Sequence, residues 1–525
     1  MAVATSLSLA KAEATPRVIR NLSCSELYQA AVHLLGQYVG AVISCRYAVP
    51  PHLRSQDADA ELRLALEAAL AQTVLDHPLL QCGIINEDSR KPSFVELDAV
   101  DFANHVDWVT LDASDDLHGA LRSTLEARIS RNYPDGATRP GWRVVVLQPH
   151  PGGDSAVLEV VFLYNHIVVD GMSGKIFHET LLHHLNSQDP QEPVPNLDRR
   201  VLHLVDTAAR FPPAPETVTA YPISIYFFVG ALWKAFRPNF FAAREGLLAK
   251  WAPIQLKPYK TNLRVVTVGS GSLCNILRLC RANKTTLTGL LHGIALLSFA
   301  RQLDVATAPG FESGTAIDMR RSTPKAPDGY PWYDPSRTAC NILSTIFHRF
   351  DKRLVSDVRR QLDAAPPPDD AGGYDQLWME ALAPVVWAAA QRTRREIEAA
   401  LALGNRNNML GLLKYASDWR ATMRAQASKP RAGSWGVSNI GVIDGHAPSA
   451  KTDCGAHWSV ESCTFTMSAE ATGTAVHISA VSVKGGELSV ELAWQDVVDG
   501  TVINQLGDDL KQWLEYFGTS KVNTS

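Results

Sequence analysis

Apolar residues recur along the chain at two periods, one typical of helices and one typical of strands. Residues 57–76 and 376–402 carry the helical spacing over the greatest lengths, and short β-branched runs alternate with such segments. The pattern therefore predicts a mixed α/β (α+β) fold. Helices are predicted within 18–40 and at 57–76, 175–186, 273–283, 285–303, 376–402, 410–427 and 501–517. Strands are predicted at 41–49, 79–85, 142–148, 156–164, 263–268, 474–483 and 487–494.

Capping residues and a proline indicate where two of these helices begin and end. Ser23 or Ser25 can cap the first helix through its hydroxyl, and Asp57 or Asp59 can cap the second. The second helix is expected to stop at His77-Pro78, because a residue before proline is disfavoured in the α region.

Both halves of the chain contain helices and strands, and 525 residues exceed what one hydrophobic core usually covers. Proline and polar residues dominate from 189 to 215, which predicts a linker. Loops are predicted at 365–374 and, with strand-like flanks, at 433–445. The predicted organisation is a disordered leader (1–17), an N-terminal subdomain (18–188), a linking segment (189–250) and a C-terminal subdomain (251–520).

The segment from Tyr221 to Trp233 is strongly apolar but too short to cross a membrane. We interpret it as a buried or domain-bridging helix. An alternative is an interfacial helix that gives weak association with a membrane surface through residues 221–243. Its edge would then be formed by Trp233, Lys234, Phe236 and Arg237.

Composition narrows the class of protein. Fifty basic against 54 acidic residues give a net charge of -4, so nucleic acid is not an expected partner. The eight cysteines are scattered and form no C-x-x-C pair, which favours free thiols in a reducing cytoplasm. The N-terminal residues lack the basic region of a secretory signal.

One motif suggests chemistry: His166 is followed by Asp170 and Gly171 in the form H-x-x-x-D-G. The histidine follows a predicted strand and precedes a predicted helix, so a rigid scaffold can present it to a cleft. A neutral imidazole can accept the proton of an attacking hydroxyl or amine. Asp170 could instead pair with a distant arginine, and Gly171 suits a tight bend or a close backbone approach. A loop that serves only packing is the alternative.

This motif, as Asn165-His166-Ile167-Val168-Val169-Asp170-Gly171, resembles the active-site motif of the CoA-dependent acyltransferase superfamily. Within that superfamily the chain most resembles the fungal alcohol acetyltransferases. Asn165 departs from the paired histidines of peptide-synthetase condensation domains, and the D-F-G-W-G loop of plant acyltransferases is absent. Supporting segments occur in order along the chain: 22–31, Gly36-Gln37-Tyr38, His77-Pro78-Leu79-Leu80, 280–288, 317–321 and Ser438-Asn439-Ile440-Gly441.

The resemblance implies two chloramphenicol-acetyltransferase-like subdomains with the active-site tunnel between them. His166 would be the general base for direct transfer from acyl-CoA to an alcohol, with no acyl-enzyme, no bound cofactor and no metal. Asp170 would have a structural role, through an ion pair with Arg320. Gly171, the next residue, would belong to the same structural support of the active site. Candidate oxyanion or substrate contacts are Asn165, Ser438, Asn439 and Thr466. A monomer is expected.

Other motifs fit less well. His178 and His183 resemble H-E-x-x-H but lie five residues apart, so they do not share a helix face. Residues 269–274 resemble a dinucleotide fingerprint whose third glycine is Cys274. Two functional alternatives stay open: a condensation-type enzyme that takes its acyl group from a carrier protein, and a non-catalytic binding protein of the same fold.

Overall fold

The computed structural model describes residues 16–112, 116–149, 157–187, 194–236, 246–366, 375–416, 418–446 and 457–520. The helices are α1 (Cys24–Leu34), α2 (Asp59–Asp76), α3 (Phe102–His105), α4 (Leu117–Arg128), α5 (Gly171–Ser187), α6 (Pro215–Val218), α7 (Ile225–Phe236), α8 (Ser270–Ala282), α9 (Leu287–Gln302), α10 (Lys352–Ala364), α11 (Gln376–Ala402), α12 (Met409–Leu413), α13 (Trp419–Ala427) and α14 (Gly500–Thr519). The strands are β1 (Val18–Asn21), β2 (Ala41–Ala48), β3 (Cys82–Ile85), β4 (Ser93–Glu96), β5 (Ala99–Asp101), β6 (Val106–Thr110), β7 (Trp142–Gln148), β8 (Val157–Tyr164), β9 (Leu197–Asp198), β10 (Val201–His203), β11 (Thr261–Val268), β12 (Phe311–Asp318), β13 (Leu343–Phe350), β14 (Gly433–Ile443), β15 (Ser459–Met467), β16 (Thr474–Val483) and β17 (Leu488–Gln495).

Two larger sheets organise the chain. One has five strands in the order β15-β2-β8-β7-β6, and the other has six in the order β11-β17-β16-β14-β12-β13. β7 and β8, which follow each other in the chain, are antiparallel neighbours. β16 and β17 are antiparallel neighbours in the same way.

A strand from near the C-terminus completes the first sheet. β15 runs antiparallel to β2, with Cys463 opposite Cys45. The second half of the chain therefore contributes a strand to the first sheet. The subdomain ranges given above stay a prediction, and they do not account for this strand.

Each sheet has its own core, and a smaller cluster lies where the sheets meet. The first core contains Phe162, Tyr164 and Phe177, and the second contains Phe299 and Trp435. The intermediate cluster combines first-sheet residues such as Val161 with Leu263 and Ala493 of the second sheet, beneath α4. Apolar contact between the sheets holds the two halves at the fixed spacing that a shared site requires.

Local signals account for several helix ends. The capping prediction for α1 is confirmed at Ser23, which forms a reciprocal capping box with Glu26. The capping prediction for α2 is wrong: Asp57 lies in a short 3-10 helix, Asp59 is the first helical residue, and Ala58 at the cap offers no side-chain bond. α2 does end at Asp76, just before His77-Pro78.

Other boundaries differ from the prediction. The helix predicted at 175–186 begins four residues earlier, at Gly171. The helix predicted at 410–427 is two helices, because Asp418 caps a new one, α13, by accepting a hydrogen bond from Ala421. The predicted loop at 433–445 is mostly strand β14. The leader at 1–15 and the loop at 367–374 lie outside the described residues.

Of the two forms of the interpretation of the apolar segment, the buried helix is wrong, and the domain-bridging helix stays a prediction. Residues 225–236 do form helix α7, but its described residues are half-buried or exposed rather than buried. Tyr226, for example, is 88% exposed. Among the described residues, no helix is both long and apolar enough to cross a bilayer.

Candidate active site

The H-x-x-x-D-G segment joins the end of β8 to the start of α5. The side chain of Asn165 accepts a hydrogen bond from the backbone of Ile167 at 2.9 Å, and its carbonyl accepts one from Val168 at 3.1 Å. These bonds close a tight turn that carries His166. Asn165 therefore shapes the loop, and it is not among the residues that line the cavity described below.

His166 is buried at the wall of a cavity. Its backbone carbonyl accepts a hydrogen bond from Asn341 at 2.5 Å, and its ring lies 5.8 Å from that of Tyr38. Within the described residues, no other residue bonds to its buried Nδ1. Burial lowers the pKa of His166, although the nearby charge of Asp170 partly opposes this shift. Burial therefore favours the neutral form of this imidazole at the cavity wall.

Asp170 makes a dense set of hydrogen bonds but none of them reaches His166. Arg320 donates to its two carboxylate oxygens at 2.7 and 2.9 Å. The backbone N–H groups of Ser173 and Ile342 donate at 2.9 and 3.0 Å, and the Ser173 hydroxyl adds another bond. With its lone pairs occupied in this way, Asp170 is placed to support the loop rather than to relay a proton.

The ion pair between Asp170 and Arg320 is enclosed, with each side chain under 5% exposed. Burial disfavours ionisation of Asp170, but the Arg320 charge and hydrogen bonds outweigh it and lower the pKa of the carboxyl. Arg320 also donates to the carbonyl of Cys340 at 2.9 Å. The pair therefore links the start of α5 to the segment that leads into β13, across the two halves of the chain.

Gly171 is needed for close packing rather than for a bend. It opens α5, and a Cβ there would lie 3.1 Å from the ring of Phe465 and 3.2 Å from Ile440. Both neighbours line the same cavity as His166. A side chain at this position would push the cavity wall inward.

The cavity has a volume of about 200 Å³ and is lined by both halves of the chain. Its wall includes apolar or aromatic residues such as Tyr28, Val32, Ile317, Phe465 and Met467. Polar residues are about as numerous, and they include His166, Ser438, Asn439, Glu470 and His477. A cavity that combines apolar surface with convergent polar groups is typical of a small-molecule site.

Two of these polar residues form a pair. Ser438 on β14 and His477 on β16 lie in neighbouring strands, and Ser438 Oγ is 2.9 Å from His477 Nε2. Burial lowers the pKa of His477, and the proximity of His166 lowers it further. A Cβ at Gly436 would lie 2.8 Å from the His477 ring, so a residue without a side chain is required there. The pair places a polarised hydroxyl in the cavity of His166.

The other candidate contacts differ in their access to the cavity. Asn439 lines it, but its side chain is engaged with Thr288 at 3.2 Å and with the backbone of Gly441 at 2.9 Å. Thr466 is fully buried and is not among the lining residues, although both its chain neighbours are. Of the four candidates, Ser438 and Asn439 therefore line the cavity, and Asn165 and Thr466 do not.

His477 and Glu470 were not predicted from the sequence. Glu470 lies between β15 and β16, and one of its oxygens accepts two bonds from Thr474 at 2.7 and 2.9 Å. No local motif marks either residue, since their proximity to His166 arises only when β14 and β16 pair.

The zinc-like spacing of His178 and His183 brings no site together. His178 is buried and bonds to the Tyr47 hydroxyl at 2.9 Å and to the carbonyl of Ile43 at 3.1 Å. His183 lies near the surface, 3.4 Å from Ser187. Within the described ranges, no group of three or more His, Cys, Asp or Glu side chains is arranged to hold a metal ion.

Comparison with known proteins agrees with this geometry. The alcohol acetyltransferase family model matches residues 124–330. A probable alcohol acetyltransferase, FCK4, from Fusarium pseudograminearum is 27% identical over 95% of this chain and 95% of its own length. The solved structure of the TRI3 trichothecene 15-O-acetyltransferase from Fusarium sporotrichioides aligns with a TM-score of 0.69 at 12% identity, covering 95% of this chain and 94% of that one.

The condensation domain of the monacolin K polyketide synthase MokA has the same general fold, with a TM-score of 0.53 at 14% identity over 96% of this chain and 97% of that one. The fold-class prediction of two acyltransferase-like subdomains is confirmed by these alignments. The protein is therefore an acyltransferase. Its sequence is similar to the alcohol acetyltransferases, in the segment that the family model matches and, at 27% identity, over most of its length.

Proposed function

We propose that the protein transfers an acetyl or longer acyl group from acyl-CoA to the hydroxyl of a hydrophobic acceptor, with His166 as general base. The observation that carries the proposal is a buried imidazole, with a pKa lowered by burial, in the wall of a cavity shared by both halves of the chain. A base in this setting needs no activation beyond its burial, because the neutral form is the reactive one.

Transfer requires one attack and two proton movements. His166 Nε2 accepts the hydroxyl proton while the acceptor oxygen bonds to the thioester carbonyl carbon. The tetrahedral intermediate collapses as the carbon–sulfur bond breaks, and the imidazolium returns its proton to the departing CoA thiolate. No cysteine takes part: Cys340, the cysteine that contacts Arg320, is buried and its pKa is raised to about 12.

Ser438 is the hydroxyl best placed to stabilise the oxyanion. If His477 carries its proton on Nε2, that nitrogen donates to Ser438 Oγ and leaves the serine O–H to donate into the cavity. A donor aimed at developing negative charge in an apolar enclosure contributes more than it would in water. His477 is then a positioning residue that fixes the direction of the serine hydroxyl.

Asp170 and Arg320 position His166 without contacting the substrate. Their ion pair holds the first turn of α5 against the segment that contains Cys340 and Ile342. Asn341 in that segment holds the backbone carbonyl of His166. Loss of the pair would therefore move the base as well as weaken the fold.

The cavity walls support an apolar acceptor. The similar TRI3 structure is that of an acetyltransferase for a trichothecene oxygen, which supports a secondary-metabolite alcohol here. The co-substrate is acyl-CoA, and we infer a monomer. A reducing cytoplasmic location is supported by Cys45 and Cys463, which face each other across β2 and β15 as free thiols.

The test separates the three functional readings. The protein is incubated with a panel of acyl-CoAs and apolar alcohols, free thiol is measured with a thiol reagent, and products are identified by mass spectrometry. We expect alcohol-dependent thiol release and an ester product, both lost in His166→Ala. Turnover only with an acyl group on a carrier protein would establish the condensation alternative, and binding of ligands without any product would establish a non-catalytic protein.

A further inference from the structure

Helix α7 turns its apolar side outward. Ile225, Tyr226, Val229 and Trp233 are 72%, 88%, 56% and 55% exposed, and Leu232 shares their side. At 100° per residue these five positions cover an arc of about 120°, the width of the stripe that a surface helix normally buries. Such a contiguous exposed apolar stripe marks an interaction surface.

The inner side of α7 is firmly attached, so the outward orientation is a property of the fold. Phe228 packs its ring 4.8 Å from that of Tyr415. Lys234 binds Glu312 at 2.8 Å and lies over the ring of Phe347. The backbone of Ser224 donates to the side chain of Asn407 at 2.7 Å. Contacts at both ends fix the rotation of the helix about its axis.

The charges on α7 and over the ring of its contact Tyr415 are basic, namely Lys234 and Lys414. α7 itself contains no acidic residue. Its neighbour Glu312 is buried and is shared by Lys234 and by Arg349, whose guanidinium lies at 3.5 Å. Lys414 and Arg406 are exposed next to the α7 contacts Tyr415 and Asn407. An apolar stripe beside basic groups is complementary to an anionic lipid surface.

We propose that the outward stripe of α7 docks the protein on the surface of an anionic lipid bilayer. The helix lies parallel to the membrane, because twelve residues span only about 18 Å, too short for a crossing. Tyr226 and Trp233 then lie at the depth of the headgroups, where amphipathic rings are favoured. Docking brings the enzyme to the phase in which apolar alcohols accumulate.

The test uses the full-length protein and vesicles of phosphatidylcholine with or without phosphatidylserine, separated by flotation. We expect the protein to bind the anionic vesicles and the binding to decrease with added salt, because the electrostatic screening length falls to about 3 Å at 1 M salt. The variant Tyr226→Ser/Val229→Ser/Trp233→Ser should bind at least about tenfold more weakly. The matched control Leu64→Ser/Val205→Ser/Leu377→Ser changes three residues of similar exposure elsewhere and should bind normally.

Turnover of a water-soluble alcohol without vesicles should be equal in both triple variants and the unaltered protein, which checks folding and keeps docking separate from catalysis. The proposal is overturned if the unaltered protein does not float with anionic vesicles, or if the α7 variant floats equally well. It is also overturned if the protein is a dimer that the α7 variant dissociates, because a second copy would then occupy the stripe.

Discussion

Two buried histidines, one in each half of the chain, have different surroundings: His166 lines a cavity, and His292 belongs to a hydrogen-bond network. His166 faces a cavity with one nitrogen uncommitted. His292 in the second core has both nitrogens engaged: Nδ1 accepts from Trp435 at 2.9 Å, and Nε2 lies 2.8 Å from Thr315. Burial lowers the pKa of both imidazoles, so burial and pKa alone do not distinguish them.

The His292 network has a fixed hydrogen-bond direction. Because Trp435 can only donate, Nδ1 of His292 is the acceptor and Nε2 carries the proton toward Thr315. The Thr315 hydroxyl then donates to His348, whose other nitrogen donates to Glu396 at 2.6 Å. Every polar group has a partner, which is the signature of a structural network. The difference that marks function is the cavity, which His166 lines and His292 does not.

The strongest test of this contrast compares His166→Ala with His292→Ala. Loss of the general base should lower kcat by on the order of 10²–10⁴ and change the free energy of unfolding by less than about 1 kcal/mol. His292→Ala should do the reverse. It should cost about 2–3 kcal/mol of unfolding free energy, because Trp435 and Thr315 lose their partner, and leave kcat near normal below the melting temperature. Equal losses of kcat in both variants would contradict the distinction.

The second test removes the charge that holds the His166 loop. Asp170→Asn leaves the buried Arg320 with only the more exposed Asp318 as counter-charge and should cost about 3–5 kcal/mol of unfolding free energy. Activity should fall with it, because the loop that carries His166 loosens. Asp318→Asn is the control, since Asp318 bonds to the same guanidinium at 3.1 Å but is more exposed and should matter far less. A catalytic loss in Asp170→Asn without any loss of stability would show that Asp170 acts in the chemistry.

The third test concerns the Ser438–His477 pair, measured by steady-state kinetics. Removing an oxyanion donor in Ser438→Ala should lower kcat by about 10²-fold or more with little change in KM. His477→Phe should produce a smaller loss, and the double variant should be no worse than Ser438→Ala, because His477 acts through the serine. Additive losses would indicate that the histidine has a separate role.

The smallest effect is expected from pH. Because burial lowers the pKa of His166, the imidazole stays neutral at and above the usual histidine value of ~6.5. kcat/KM should therefore be flat near neutrality and fall only as acid protonates the base below that value. An acidic limb with an apparent pKa above 7 would show that a different group, or a charged imidazole, controls the rate.

The sequence predicts well what local chemistry determines. The H-x-x-x-D-G loop, the capping box at Ser23 and the end of α2 before Pro78 each depend on neighbours within a few residues. The arginine partner of Asp170 was predicted only through family resemblance, and the ion pair is present in the structure.

What the sequence does not reveal depends on contacts between distant segments. His477 joins the cavity because β14 and β16 pair, and nothing near it in the chain indicates this. The apolar residues of α7 led to a prediction of burial. Hydrophobic periodicity, however, does not show which side of a helix the rest of the protein covers. β15 also joins a sheet whose other strands all come from the first third of the chain.

That last strand has a consequence for the protein during synthesis. The backbone of Val39 bonds to Ser468, 429 positions later, so the ribosome must add nearly the whole chain before the first sheet can be completed. At typical elongation rates this takes roughly 20–90 s, during which the edge of β2 has no strand to cover it. A C-terminal truncation before β15 would therefore leave this edge of β2 permanently open and prone to aggregation.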